Sequence, residues 1–194
     1  MKPGRIILAA VVGGVIMFIW GAVSHMTTPI GEMGLKPMPD SVWSSLKPAI
    51  AEPGLYFFPG GDMSHSSPEA DAAWEKKMES GPVGIMAYSP GGEAPMSPRQ
   101  LSTEFVSNLL AALVGAVILA LIPSGRGSFI RRVLVALGLG VLAWLSVDVS
   151  YWNWFKFPLT YTIGTLLEQS LGWLFSGIGM ALILHHRSGA PKPA

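Results

Sequence analysis

Four apolar stretches, separated by polar segments, dominate the pattern of the chain, and their lengths predict membrane-spanning helices. They run over Ile6–Val23, Phe105–Ile122, Val133–Val147 and about Ile163–Leu184. Crossing a hydrocarbon core of about 30 Å takes about 20 helical residues. Three of the stretches fit directly. The third is short, but it can extend through Ser150–Trp152 while Arg131 and Arg132 snorkel at its other end. The first stretch has a second reading as a signal peptide, with Lys2 and Arg5 as its basic region and Ala22-Val23-Ser24 as a loose cleavage site. The apolar run is long for that role and Trp20 sits just before the supposed site, so an uncleaved anchor is the better expectation.

The polar segment 24–103 is an insert with helical and turn signals of its own. Asp40 is placed to cap a short helix in which Val42, Leu46 and Ile50 form a stripe. In SSPEADAAWEKKMESG, Ser precedes Pro, acids come early, lysines late and Gly81 last, the order of helix start and stop signals. VGIMAY is strand-like. Ser97 and Gln100 match a capping box around Pro98, so the second membrane helix should begin well before Phe105. The expected organisation is a first transmembrane helix (1–23), an extracytoplasmic insert (24–103), a three-helix transmembrane region (104–187) and a cytoplasmic tail (188–194). The expected fold class is an all-α membrane protein, a four-helix transmembrane bundle with a small α-rich insert between helices 1 and 2.

Charge sets the expected orientation. With the N-terminus in the cytoplasm, the inside holds Lys2, Arg5, Arg126, Arg131, Arg132, Arg187 and Lys192 and no acid. The short loop PSGRGSFIRR weighs most, because short loops obey the positive-inside rule most closely. Aromatics agree: Trp20, Tyr151, Trp152, Trp154, Phe155 and Phe157 fall at the opposite boundary and read as an interfacial belt. The chain of 194 residues is 50% hydrophobic and 13% charged, against about 25% charged in a soluble domain. A net charge of +1 gives no basic footprint for nucleic acid, and without cysteine there is no disulfide or thiolate chemistry.

Small residues recur four apart in every span, at Ala9/Gly13, Ala111/Gly115, Ala136/Gly140 and Gly172/Ser176. They let helix backbones approach closely and predict a compact bundle. Glu168 is the one acid deep in a span. A carboxylate facing lipid costs several kcal/mol, of order 2–3, unless it is protonated. It shares the row Gly164, Glu168, Gly172, Ser176, so it should face the interior, where His25 and Asn108 lie at similar depth. The expected intramembrane polar cluster is Glu168, His25 and Asn108. Hydrogen-bonded glue that fixes helix register is the plainer role for it, and proton or ligand handling the sharper one.

Tyr56, Phe57 and Phe58 lie between Pro and Gly turns and are costly to leave in water. They either tuck under the insert or dip into the headgroups, or they dock a partner. His65 with Asp62 and Met63 has no specific metal spacing, and His185-His186 beside Arg187 reads as a helix-end anchor. No nucleophile elbow, phosphate loop or metalloprotease pattern occurs. No catalytic residue, metal or other cofactor is expected.

WGAVSH, PGLYFFPG and PMSPRQL together resemble a family of uncharacterised small bacterial inner-membrane proteins. The resemblance implies topology and no activity. The functional expectation is a non-enzymatic accessory or assembly subunit that contacts the lipid bilayer and other membrane protein subunits. The alternative is a small transporter or channel working through the Glu168 cluster.

Overall fold

The computed structural model of the protein describes residues 2–61 and 67–185. Asp62, Met63, His65 and His186 lie outside the described residues. Four segments are long and apolar enough to cross a membrane, so the chain is a multi-pass membrane protein built as an all-α bundle. They are α1 (Pro3–Thr27), α4 (Pro98–Ala120), the near-continuous pair α5 (Ser128–Ser146) and α6 (Asp148–Phe155), and α7 (Leu159–Leu184). The insert holds α2 (Asp40–Ala49), α3 (Pro68–Ser80) and an antiparallel hairpin of β1 (Gly54–Phe58) and β2 (Gly84–Tyr88).

Local sequence explains the element ends. α1 and α4 both carry Pro in the first turn, where its missing N–H costs nothing. At α4 the Ser97 hydroxyl accepts from the Gln100 N–H and the Gln100 side chain accepts from the Ser97 N–H, a complete capping box. Arg99 bonds Glu93 at 2.9 Å in front of it, which holds the Glu93 carboxyl below the usual carboxylate range. α3 starts at Ser67, whose hydroxyl accepts from Ala70 N–H, and stops at Gly81 with φ +62°. Asp40 does not cap α2. It is the first helical residue, and extended Pro39 precedes it without a side-chain bond.

α7 is packed along α1 on one side and α5 on the other, and α4 lies along α1 while also touching α7 and α5. Small residues sit at these seams. A Cβ on Gly14 would come within 2.8 Å of the Leu109 backbone, and one on Gly140 within 2.7 Å of the Gln169 carbonyl oxygen. Gly177 packs directly on Ala136. At the end that carries the chain termini and the arginine loop, Ala9, Ala10, Ala116, Leu119, Ala136, Met180 and Leu184 form a buried apolar layer.

One expectation is corrected here. Arg132 does not snorkel. It is fully buried, its Nε donates to the Leu119 carbonyl at 3.1 Å and its Nη2 to the Ile122 carbonyl at 2.8 Å. Both carbonyls lie at the end of α4, where Leu119 also accepts from the Ile122 N–H, so the guanidinium adds a C-terminal cap supplied by another helix. The third span does extend past Ser150–Trp152, to Phe155, but with a break in it. Val147 breaks it with φ −115° and ψ −64°, and α6 restarts at the buried Asp148.

Candidate functional site

The end of the bundle that carries the insert gathers the intramembrane polar side chains. α1 delivers His25 on its last turn and α7 delivers Glu168 on its third. The two helices can pair this closely because Gly13 and Gly172 leave room. Ser176 Oγ donates to the Gly13 carbonyl at 3.1 Å, and the Trp20 ring lies over Gly172. His25 Nε2 then lies 3.0 Å from Glu168 Oε1, with the carboxylate half-buried and the imidazole more exposed. Trp20 Nε1 donates to the Glu168 backbone carbonyl at 2.9 Å and its ring meets Phe175 edge-on.

The chain then folds back over this pair. A short 3₁₀ turn, Ile30–Glu32, follows Thr28, whose hydroxyl accepts from the Ile30 N–H. Gly31 packs against the His25 ring so closely that a Cβ there would lie 2.6 Å from Nδ1. Gly34, with φ +80°, rests on Tyr161 at the start of α7. Beneath the turn is a cleft of about 260 Å³ lined by His25, Met33, Tyr161, Thr165 and Glu168 among others. On the far side a second cleft of about 210 Å³ is lined by Trp20, Glu104, Asn108, Glu168, Gln169 and Trp173 among others.

The three residues expected to cluster are thus only partly joined. His25 reaches Glu168. Asn108 lines the second cleft with it, but its amide donates to Glu104 Oε1, one turn back on its own helix, at 3.0 Å. A polar pair that the sequence reading missed lies alongside: Gln169 Nε2 donates to Asp148 Oδ2 at 2.8 Å. Both are polar residues within predicted spans, which is the signal that marks them. Trp20 is placed in the seam between α1 and α7, whereas Tyr151, Trp152 and Trp154 stand exposed on α6.

Tyr56, Phe57 and Phe58 fall on β1, where alternation divides them. Phe57 faces the bundle and meets Phe155 of α6. Tyr56 and Phe58 share the other face with Met86 and Tyr88; the Tyr56 ring meets Tyr88, and its hydroxyl donates to the Glu52 carbonyl at 2.8 Å.

The chemistry these groups can perform is narrow. A carboxylate and an imidazole in contact can share or pass a proton. No group of three metal-ligating side chains occurs among the described residues. Ser128 Oγ lies 3.0 Å from His185 Nδ1 at the opposite end of the bundle, but Ser128 is fully buried and has no access to a substrate. That contact ties the start of α5 to the end of α7. No family model, curated protein or solved structure matches the chain.

Proposed function

We propose that the chain is an integral membrane accessory or assembly subunit, without catalytic activity of its own, that holds a larger membrane protein complex through its bundle face and its insert. The setting that fits is a bacterial inner membrane with both chain termini in the cytoplasm. One observation carries this reading: among the described residues the β1–β2 hairpin is a two-stranded sheet with both outer edges unpaired, and on its Tyr56/Phe58/Met86/Tyr88 face Phe58 stands exposed and the other three are half-buried. Two strands alone are marginal in water and need a third strand or a packed face to persist. A partner that covers the aromatic face or extends an edge would supply one.

The test is co-purification in mild detergent with protein mass spectrometry, comparing the wild type with Tyr56→Ser/Phe58→Ser. Phe57 is left intact because it seats the hairpin on α6. The expected result is a fixed stoichiometric partner that the double variant loses while still inserting in the membrane. Recovery of the wild type alone, at the same native mass as the variant, would overturn the reading.

A second reading, a small transporter or channel, is favoured by the two clefts that Glu168 lines. The buried apolar layer around Ala9, Leu119, Met180 and Leu184 stands across any route through the bundle and argues against it.

A further inference from the structure

We propose that α2 is an interfacial helix, lying in the lipid headgroup layer at the insert end of the bundle with Val42, Trp43, Leu46 and Ile50 turned into the acyl boundary. The inference goes beyond the accessory-subunit reading and does not depend on it.

Three observations carry it. The first is the helix itself. At helical spacing Val42, Leu46, Ile50 and Trp43, with Ala49, fall in one arc of about 120°, and Asp40, Ser41, Ser44, Ser45 and Lys47 fill the remainder. Among the described residues no other element packs along α2, so Trp43 stands 61% and Val42 44% exposed. An apolar face with a Trp, opposed by a polar face of low net charge, suits the headgroup boundary.

The second is where the helix is tied. On its N-terminal side Gly34 rests on Tyr161, and Leu35 lines a cleft with Phe155, Phe157 and Pro158. Only Lys36–Pro39 separate Leu35 from Asp40, a reach of at most about 18 Å. On its C-terminal side the chain passes through residues 51–53 into β1, whose Phe57 meets Phe155. Both tethers therefore return to the turn between α6 and α7. The last turns of α6, which lead into it, carry the exposed aromatics Trp152 and Trp154, which mark where the spans leave the hydrocarbon. Leu35 and Met38 are exposed along the N-terminal tether, so apolar side chains line the path from the spans to α2.

The third is the contrast with α3. No other helix packs on it either, but it displays Glu69, Asp71, Glu75, Lys76, Lys77 and Glu79. That surface suits water. The two insert helices thus differ in the one property that distinguishes a lipid surface from bulk solvent.

Absence of cysteine from the chain allows a clean test. Single cysteines at positions 41 to 47 are spin-labelled in the full-length protein, reconstituted in vesicles of phosphatidylcholine with a minor fraction of phosphatidylglycerol. Collision rates are measured with oxygen, which concentrates in the acyl region, and with a water-soluble nickel chelate. The expected result is an oxygen-to-nickel ratio at 42, 43 and 46 at least about threefold above that at 41, 44 and 45, because one arc lies in lipid and the other in water. Uniformly high nickel access would place α2 in solution and overturn the proposal. Low access to both agents at 42, 43 and 46 would also overturn it, by showing protein packed against that face, a second copy in this preparation.

Discussion

At the scale of single residues, the charged and amide side chains at the insert end of the spans pair with a partner on their own helix or on a neighbouring one. Glu168 lies on the close-packing row of α7, and the row alone pointed it at the bundle interior, where His25 meets it. Asn108 was harder to place, because a carboxylate four residues back on the same helix competes with any carboxylate on another, and the local pair forms. Trp20 sits at a boundary where an indole can face lipid or a neighbouring helix, and sequence position does not distinguish the two. Arg131 and Arg132 are adjacent and so point about 100° apart on a helix, which leaves one of them turned inward. Two predictions belong here. Trp20 bonds the Glu168 backbone and is indifferent to its side chain, so variants at 168 report on the carboxylate. Glu168→Gln keeps a hydrogen bond to His25 and should change stability by less than about 1 kcal/mol in reversible detergent unfolding, whereas Glu168→Leu should cost about 1–3 kcal/mol. A Glu168→Gln loss as large as that of Glu168→Leu would show that the charge, and not the shape, matters there. Arg132→Ala should cost about 2–4 kcal/mol, because it uncaps α4 and opens a cavity, and Arg132→Lys should not recover it, since the two bonds come from separate nitrogens of the planar guanidinium, Nε and Nη2, and lysine has only one. Full recovery by lysine in the same assay would show that charge alone holds the end of α4.

At the scale of elements, the four spans were legible because hydropathy over some twenty residues is a signal that tertiary context seldom overrides. The capped helices α3 and α4 were legible for a similar reason: their start signals are local and mutually consistent. β1 was not. Leu55, Tyr56, Phe57 and Phe58 are apolar on both faces and so carry no alternation, and the strand exists because VGIMAY pairs with it across a long connection. The break at Val147 was masked by the hydropathy of the span, which runs on across the weak helix formers Ser146, Val147 and Asp148, and the departure comes with Asp148 turning inward to Gln169. What the spacing of small residues did convey is where helices touch. Gly177 packs on Ala136, and Gly138, on the same helix as that alanine, faces open space. Gly177→Val should therefore push α5 from α7 and cost about 1–3 kcal/mol. Gly138→Ala should be neutral or gain up to about 1 kcal/mol from helix propensity. Equal effects from the two, measured in one unfolding series, would remove the close-packing account of the α5–α7 seam.

At the scale of the whole molecule, the remaining question is which end faces the cytoplasm, and the charge distribution predicts an answer. Four crossings put both chain termini on one side and the insert on the other. One side then holds Lys2, Arg5, Arg126 and Arg131 without an acid, and the other holds the acids of the insert, with Glu104, Asp148 and Glu168 at the same end of the spans. Arg132 does not weaken this bias. Although it is buried in the structure, it flanks a short loop, and the rule counts basic residues close to the ends of the spans as the chain inserts. The prediction is that a reporter fused at Gly81 reads extracytoplasmic and one at Gly125 reads cytoplasmic. Reversing the loop bias with Arg126→Glu and Arg131→Glu should raise the fraction of molecules with Gly125 outside, because those charges lie between two spans whose hairpin must choose a side. The spans are tied in sequence, so no single fusion can fail alone. A cytoplasmic reading at Gly81 would invert every crossing, place the exposed Trp152 and Trp154 on the cytoplasmic face and put the hairpin of β1 and β2 in reach only of cytoplasmic partners. An extracytoplasmic reading at Gly81 leaves Tyr56 and Phe58 facing partners outside the cytoplasm, and it fixes the leaflet in which α2 is to be sought.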